Sequence, residues 1–169
     1  MPRVSFEQLP DHGQLWVFPL SRRLTDSEAD RCMAVVDTFL DGWAAHGVPL
    51  RCARELHESH FLMIGVDIEA EAPSGCSIDA LVGQLRTLGA DLGVTFIDHS
   101  PVWFREGDEI HLASRAEFGA MARAATISSS GHVFDTSLTK VGQARNGWLE
   151  RPAAETWHGP AFFEEPAQL

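Results

Sequence analysis

The hydrophobic pattern in the first part of the chain predicts four strands. β-Forming residues fill 15–20, and residues 49–57 alternate between apolar and polar side chains, as in a strand with one buried face. Residues 61–69 are almost continuously apolar, which is typical of a central strand, and residues 94–97 predict a fourth strand. Because only a short loop joins the second strand to the third, these two are predicted to be antiparallel neighbours.

Two amphipathic helices are predicted between these strands. Thr25 begins the first through a capping box, and its apolar positions recur at three- and four-residue spacing until Gly47, the predicted left-handed stop. Ser77 is the predicted N-cap of the second helix, which ends at Gly93. The resulting order β-α-β-β-α-β is that of the split, ferredoxin-like arrangement, an antiparallel sheet with both helices on one face.

The second part of the chain carries a smaller set of elements. Residues 102–112 predict a hairpin that turns at a Glu-Gly-Asp sequence, and Ser114 begins a short helix through another capping box. Residues 132–135 predict a further strand. The proline-rich tail from Gly147 is predicted to wrap the surface.

These patterns predict an α+β protein with two parts. Residues 1–99 are expected to form the ferredoxin-like domain, and residues 100–169 a small α+β module with a surface-wrapping tail. The chain has 169 residues, of which 44% are hydrophobic, so it can bury a substantial core.

The charge balance narrows the classes of partner. The chain carries 24 acidic and 13 basic residues and a formal charge of -11, with no local basic stripe. Such a charge repels phosphate backbones, so nucleic acid is not an expected partner. No apolar run approaches the roughly 20 residues that a bilayer span requires, so a membrane is not expected either. Oligomerisation through sheet edges or exposed aromatic residues is left open.

Cysteine usage and the N-terminal sequence indicate the compartment. Cys32, Cys52 and Cys76 form no CxxC pair, and their odd number argues against a disulfide framework. The N-terminal residues have no apolar signal-peptide core. A reducing cytoplasm is therefore the predicted location.

Five short blocks resemble a family of short, uncharacterised bacterial proteins that often carry the label "ABC transporter ATPase". The blocks span nearly the whole chain and read LPDHGQLWVF, GWAAHGVPL, SGCSID, VWFREGDEIHLASRAEF and TWH. The label implies ATP hydrolysis, which requires a GxxxxGK[ST] loop to cradle the phosphates. The chain has no such loop, and Lys140, its only lysine, follows no phosphate-binding sequence. ATPase activity is therefore not predicted.

Residues 102–148 are locally similar to GYF-like modules, which bind proline-rich segments through aromatic residues. The similarity lies in the order of a Trp-Phe strand, an aspartate-containing turn, a short helix, a strand and a closing tryptophan. It implies binding through Trp103, Phe104 and Trp148. The chain has no tyrosine, so the hallmark Gly-Tyr-Phe triplet is absent.

Cys76 is the one candidate catalytic residue. It lies in a Ser74-Gly75-Cys76-Ser77 turn where the second helix begins, and free backbone N–H groups with the positive helix end favour a thiolate there. The same turn, through Ser74, Gly75 and Ser77, could bind an anion. A free cysteine is also commonly a buried apolar residue, and the sequence places no base beside this one.

The histidines do not predict a metal site. His57 and His60 lie three residues apart at a hairpin turn, where they do not share a face, and no third ligand follows at metal spacing. His99, at the end of the predicted fourth strand, lies at the far end of the second helix from Cys76. No metal or other cofactor is therefore predicted.

The sequence favours a soluble, non-enzymatic binding or adaptor protein of the bacterial cytoplasm. It would hold a protein or a small ligand in the groove between its two parts or on the open face of its sheet. The alternative is a cysteine-dependent enzyme or thiol sensor centred on Cys76. A sheet that recognises RNA is a weaker possibility, because residues 61–69 end in acidic side chains.

Overall fold

A computed structural model describes residues 3–163 of the chain. These residues divide into two compact units, of which the first takes in the residues up to Asp98 together with Ser137–Asn146. The second unit takes in His99–Thr136 and the residues from Gly147 onward. Both combine helices with antiparallel sheets, which confirms the α+β class. The domain prediction placed Ser137–Asn146 in the second part, whereas these residues pack in the first unit.

The regular elements follow one another along the chain with short connections. The strands are β1 (Gln14–Pro19), β2 (Ala44–Ala45), β3 (Val48–Pro49), β4 (Cys52–His57), β5 (Phe61–Val66), β6 (Val102–Glu106), β7 (Glu109–Ala113), β8 (His132–Phe134) and β9 (Glu150–Pro152). The helices are α1 (Asp26–Asp41), α2 (Gly75–Leu92), α3 (Arg115–Arg123) and α4 (Val141–Arg145), with shorter helical turns at Phe6–Gln8, Ala153–Glu155 and Gly159–Phe163. No helix among these is long and apolar enough to cross a membrane.

The central sheet of the first unit has the order β1-β5-β4, with both pairs antiparallel. Every residue of β5 is buried, as its continuous apolar sequence predicts. Alternate residues of the three strands face α1 and α2, and there Ile64 packs into a core with Val36 and Leu85. The three strands are the first, second and third predicted ones, in the predicted antiparallel pairing.

Helix α1 begins where its capping box predicts. Thr25 Oγ1 accepts the backbone N–H of Glu28, whose carboxylate accepts the N–H of Thr25 in return. The predicted stop at Gly47 is wrong, because α1 ends at Asp41. Gly47 (φ 78°) instead forms the turn between β2 and β3 with His46 (φ 52°). Two successive left-handed residues make the tight turn of this hairpin.

Helix α2 begins one turn before the predicted N-cap. Ser74 is the N-cap, and its hydroxyl accepts the backbone N–H of Ser77 at 3.1 Å. Ser77 is the third helical residue, and its own hydroxyl accepts the N–H of Ser74 at 2.7 Å. Two serines three residues apart can therefore form a reciprocal cap, in which the first serine is the N-cap residue. The helix ends at Gly93 in a left-handed conformation, as predicted.

Residues 94–97 do not form the predicted fourth strand. The chain reverses at Gly93, and the N–H of Val94 returns to the carbonyl of Gly89 at 2.9 Å. Val94 and Phe96 are buried in the core beneath the helices. This turn holds residues 94–97 against α2, so these residues do not extend along β1.

The outer edge of β1 is paired with a distant part of the chain. The N–H of Leu15 donates to the carbonyl of Thr139 at 2.9 Å, and Gln14 forms an antiparallel bridge with Lys140. A ferredoxin-like sheet would place its fourth strand along this edge. Residues 139–140 occupy part of that edge, which gives a second reason why residues 94–97 stay outside the sheet.

The sheet face opposite the helices is covered. Leu15, Val17 and Met63 on that face are buried. A Cβ atom on Gly65 would lie 2.6 Å from Leu9 Cδ1 and 3.1 Å from Val141 Cγ2, so glycine lets these two side chains pack against the strand. The predicted binding surface on an open sheet face is therefore not available at the centre of this sheet.

The second unit is built on a four-stranded antiparallel sheet of order β7-β6-β8-β9. Its hairpin turns at Gly107, and Ser114 caps α3 as predicted. Phe118 of α3 is fully buried and packs against Phe104 of β6, with ring centroids 5.6 Å apart. Val133 completes the centre of this core.

The described part of the C-terminal tail adds to the second unit's sheet and core. Residues 150–152 form β9, and Ala153 and His158 are buried. His158 Nδ1 lies 2.8 Å from Thr156 Oγ1, and burial lowers the pKa of His158 to about 4. The tail up to residue 163 therefore contributes buried side chains, and residues 164–169 lie outside the described part.

Two glycines of α2 offer a matched test of the reversal after this helix. A Cβ on Gly89 would lie 2.5 Å from the backbone oxygen of Val94, whereas a Cβ on Gly83 would meet nothing within 4 Å. Gly89→Ala is expected to lower the free energy of unfolding by about 1–3 kcal/mol through overpacking. Gly83→Ala is expected to raise it by about 0.5–1 kcal/mol, because alanine is the better helix former. Denaturant titration of both variants measures the difference, and equal effects would contradict the packing of Val94 against α2.

Candidate functional site

A cavity of about 810 Å³ in the first unit lies beside strand β4. We call it the β4 groove. It is lined by residues 3–8, by Ala29, Asp30 and Met33 of α1, by residues 54–56 of β4, and by Ser59. The groove thus lies between the N-terminal segment and helix α1, and a sheet edge runs along it.

Strand β4 is an edge strand whose partner covers only its beginning. The N-terminal segment bridges to it in parallel at Cys52, where the N–H of Val4 donates to the carbonyl of Cys52 at 2.8 Å. The segment then leaves the edge and enters the helical turn at Phe6–Gln8. The remainder of β4 has no neighbouring strand on this side among the described residues.

The backbone of Arg54 and Leu56 points into the groove. Arg51 and His57 bond toward β5 and its turn, since their carbonyls accept the N–H groups of Asp67 and His60. Backbone groups alternate along a strand, so residues 53, 55 and 57 face β5 and residues 52, 54 and 56 face outward. Arg54 and Leu56 therefore present two N–H donors and two carbonyl acceptors along the open edge.

The two walls of the groove differ because they belong to opposite faces of the sheet. Leu56 points to the helix side, where it packs against the main core. Met33 and Ala29 of α1 line the same side. Glu55 points to the other face, where Phe6 contacts the same face of the sheet at Gly65. One wall therefore carries the apolar side chains of Ala29, Met33 and Leu56 together with Asp30 and Arg54, and the other carries the Phe6–Gln8 turn and Glu55.

An ion-pair network closes the upstream end of the groove. The Arg54 guanidinium holds both oxygens of Asp37, at 2.8 and 3.0 Å. Arg3 donates to Asp41 at 2.7 Å and lies 3.4 Å from Asp37. Hydrogen bonding to Arg54 lowers the pKa of Asp37, and the same bond raises the pKa of Arg54. Both arginines at the groove are thus already neutralised by α1.

The acidic residues of the groove, unlike its arginines, form no ion pairs among the described residues. Glu7, Asp30 and Glu55 are exposed and line the cavity. Each carries a carboxylate, and none forms an ion pair with another residue in the described range 3–163. The groove therefore presents unpaired negative charge beside the apolar side chains of Ala29, Met33 and Leu56.

Cys76, the predicted catalytic residue, lies in a separate cavity of about 510 Å³ in the same unit. It is exposed, in the first turn of α2. The cavity also contains Trp43, Phe39 and His46, and the indole N–H of Trp43 donates to the carbonyl of Ser77 at 2.8 Å. The structure thus brings a histidine of the β2–β3 turn to the same cavity as the thiol, which the sequence did not predict.

The predicted anion-binding residues around Cys76 are occupied by helix capping. The hydroxyls of Ser74 and Ser77 bond to each other's backbone N–H groups. Ser77 is buried, whereas Gly75 is exposed. The capping geometry explains the small side chains of this turn without a ligand.

The predicted aromatic residues of the second unit differ in their exposure to solvent. Trp103 and Phe104 are buried in β6, whereas Trp148 is 40% exposed. The Arg151 guanidinium lies 4.4 Å from the centre of the Trp148 ring. Binding by these three residues stays a prediction, and only Trp148 offers an aromatic face to a partner without rearrangement.

Three side chains of the first unit come close enough to hold a cation. The ligand atoms of His12, Asp67 and Glu69 lie within 4.8 Å of one another. Asp67 is already engaged, because it accepts the N–H of Glu69 at 3.1 Å and lies 3.5 Å from the Arg51 guanidinium. A metal ion would have to compete with Arg51, so this cluster is not built for one.

Three other histidines, His57, His60 and His99, are not brought to Cys76. His60 is buried in the β4–β5 turn, where burial lowers its pKa to about 4 and neither ring nitrogen has a hydrogen-bond partner among the described residues. His57 lies 2.9 Å from Glu58, and His99 lies 3.2 Å from Thr136. None of these histidines lines the cavity of Cys76.

Sequence reasoning did not find the β4 groove. Residues 3–8 show no strand or helix period, so nothing local predicts that they meet Cys52. The signal that does exist is the alternation of residues 49–57, which marks an outer strand. An outer strand needs a cover, and a short N-terminal segment covers only part of it.

No family model, curated protein or solved structure matches this chain. The resemblance to the bacterial family labelled "ABC transporter ATPase" and the local similarity to GYF-like modules therefore rest on the sequence blocks alone. The site described above is defined by its own geometry.

The three cysteines should react very differently in the native protein. Burial raises the pKa of Cys32 to about 11 and that of Cys52 to about 12, whereas the Cys76 sulfur is exposed. We expect an alkylating reagent near neutral pH to modify one thiol quickly and the other two only on unfolding, because the thiolate is the reacting form. Mass spectrometry counts the labels. Cys76→Ser should remove the fast label, and fast labelling that persists in this variant would contradict the burial of Cys32 and Cys52.

Proposed function

We propose that this chain is a non-enzymatic binding protein, an adaptor that holds a segment of a partner protein in the β4 groove. The observation that carries the proposal is the open edge of β4, at Arg54 and Leu56, along the β4 groove. Main-chain pairing with an exposed strand is a common way for proteins to recognise extended segments.

The open sheet edge along the groove favours a peptide segment over a small ligand. A volume of about 810 Å³ falls within the usual range of ligand sites, but this cavity is an open trough with one sheet edge along it. The two arginines of the groove are engaged by Asp37 and Asp41, whereas the outward backbone of Arg54 and Leu56 is open to a partner. Binding is therefore the function that these residues support best.

The proposal also includes a ferredoxin-like first unit, a GYF-like second unit and a cytoplasmic location. The order β1-β5-β4 supports a ferredoxin-like origin for the first unit, with its fourth strand displaced. The helix and strands of the second unit follow the order on which the likeness to GYF-like modules was based. We infer a cytoplasmic location from the free cysteines.

A photoreactive amino acid in the groove tests the adaptor proposal. With benzoylphenylalanine in place of Glu55, irradiation in a lysate of the source cells should give a discrete cross-linked product, because that side chain lines the groove. The matched control carries the same residue in place of Asp79, an exposed residue of α2 that does not line the groove. Electrophoresis and mass spectrometry identify the products.

Two results of the cross-linking experiment would reject the proposal. One is the absence of any product from the Glu55 position, and the other is the same set of products from both positions. A product unique to Glu55, lost when Leu56 is replaced by arginine to fill the groove, would support it.

A second candidate function is a thiol sensor or cysteine-dependent enzyme centred on Cys76. The observation in its favour is that the exposed thiol and His46 line one cavity with an aromatic wall. If this function holds, Cys76 alkylation should be faster near neutral pH than that of a free cysteine, and His46→Ala should slow it. A rate equal to that of free cysteine, unchanged by His46→Ala, would remove this candidate.

A further inference from the structure

We propose that the occupant of the β4 groove is an extended segment in which basic and apolar side chains alternate, added to the sheet as a strand beside β4. This inference rests on the proposed function, because it names the chemistry of the partner at the same groove. It follows from three separate features, which are the outward backbone of β4, the apolar side chains beside Leu56 and the unpaired acids.

The outward backbone requires an extended occupant. Arg54 and Leu56 present their N–H and carbonyl groups at strand spacing, and an added strand satisfies all four at once. The upstream end is closed, because Val4 already pairs with Cys52. The guest strand therefore begins beside Arg54 and runs along the downstream part of β4.

One face of the guest strand meets apolar side chains. Guest residues that share the helix side of the sheet lie beside Leu56 and face Met33 and Ala29 of α1. Leu56, Met33 and Ala29 offer no hydrogen bond to a polar guest side chain, which would lose water beside them, and Arg54 already holds Asp37 through two of its nitrogens. Every second residue of the guest should therefore be apolar.

The other face of the guest strand meets negative charge. The intervening guest residues point to the face that carries Glu55, which is a direct cross-strand neighbour, and toward Glu7 of the helical turn. Opposite charges at such positions attract, whereas like charges repel. Asp30, on the α1 side of the groove, adds a third unpaired carboxylate, and the formal charge of -11 attracts a basic segment from a distance.

The probe for this inference is a fluorescent heptapeptide of alternating valine and lysine. We expect it to bind the full chain in fluorescence anisotropy, with an affinity that falls as salt is raised, because exposed charge pairs are screened. The matched peptide with glutamate in place of lysine should bind at least about tenfold more weakly. Equal binding of the two peptides would overturn the charge assignment.

Backbone pairing has its own test in N-methylated versions of the same peptide. Methylation removes an N–H donor, so methylating the residues that face β4 should weaken binding about tenfold, whereas methylating the others should not. In an antiparallel guest the valine amides face β4, and in a parallel guest the lysine amides do. Equal effects of the two methylation patterns would overturn strand addition in either direction.

Charge-reversal variants place the peptide in the groove. Replacing Glu7, Asp30 and Glu55 by lysine should weaken binding of the valine–lysine peptide by at least about tenfold. The control variant makes the same change in charge at three exposed acids that do not line the groove, namely Asp79, Asp108 and Glu155. Circular dichroism establishes that both variants are folded. Equal loss of binding in the two variants would show that only the net charge matters, and it would overturn the inference.

The failures of the two proposals can be told apart. If the Glu55 position cross-links a partner but neither peptide binds, the chemistry of the occupant is wrong and the adaptor function stands. If the peptide binds only to the edge of β4 and cross-linking finds no partner, strand addition stands and the adaptor function fails.

Discussion

The structure of the first unit depends on the complete burial of β5. This strand has a neighbour on each edge, α1 and α2 on one face, and the side chains of Leu9 and Val141 on the other. Gly65 makes the second cover possible, because any larger side chain would meet Leu9 Cδ1. The segments that contain Leu9 and Val141 therefore pack against the same strand. Where these segments run determines which sheet edges are covered and which remain open.

The β4 groove is a consequence of that arrangement. The N-terminal segment must turn away from β4 after Val4 so that Phe6 and Leu9 can reach Gly65. In doing so it leaves Arg54 and Leu56 uncovered, and it places Glu7 beside the gap. An edge strand left open in this way is an aggregation risk unless something covers it, which is the physical reason to expect a partner there.

The sequence predicted the features that depend on local chemistry. The capping boxes at Thr25 and Ser114 are formed by side chains three residues apart, and the alternation in 49–57 reports which face of a strand is buried. The pairing of Leu15 with Thr139 was beyond such reasoning, because it joins residues far apart in sequence through backbone atoms. The same limit applies to the β4 groove, because its N-terminal segment meets Cys52 through a single long-range bridge at Arg3.

Amide hydrogen exchange of β4, resolved residue by residue by NMR, tests the central claim that this edge is open. The N–H groups of Ala53 and Glu55 bond to β5 and should exchange slowly, whereas those of Arg54 and Leu56 face the groove and should exchange fast. Addition of the valine–lysine peptide should then slow Arg54 and Leu56 alone. Equal protection of all four amides in the isolated protein would show that the edge is already covered and would contradict the account.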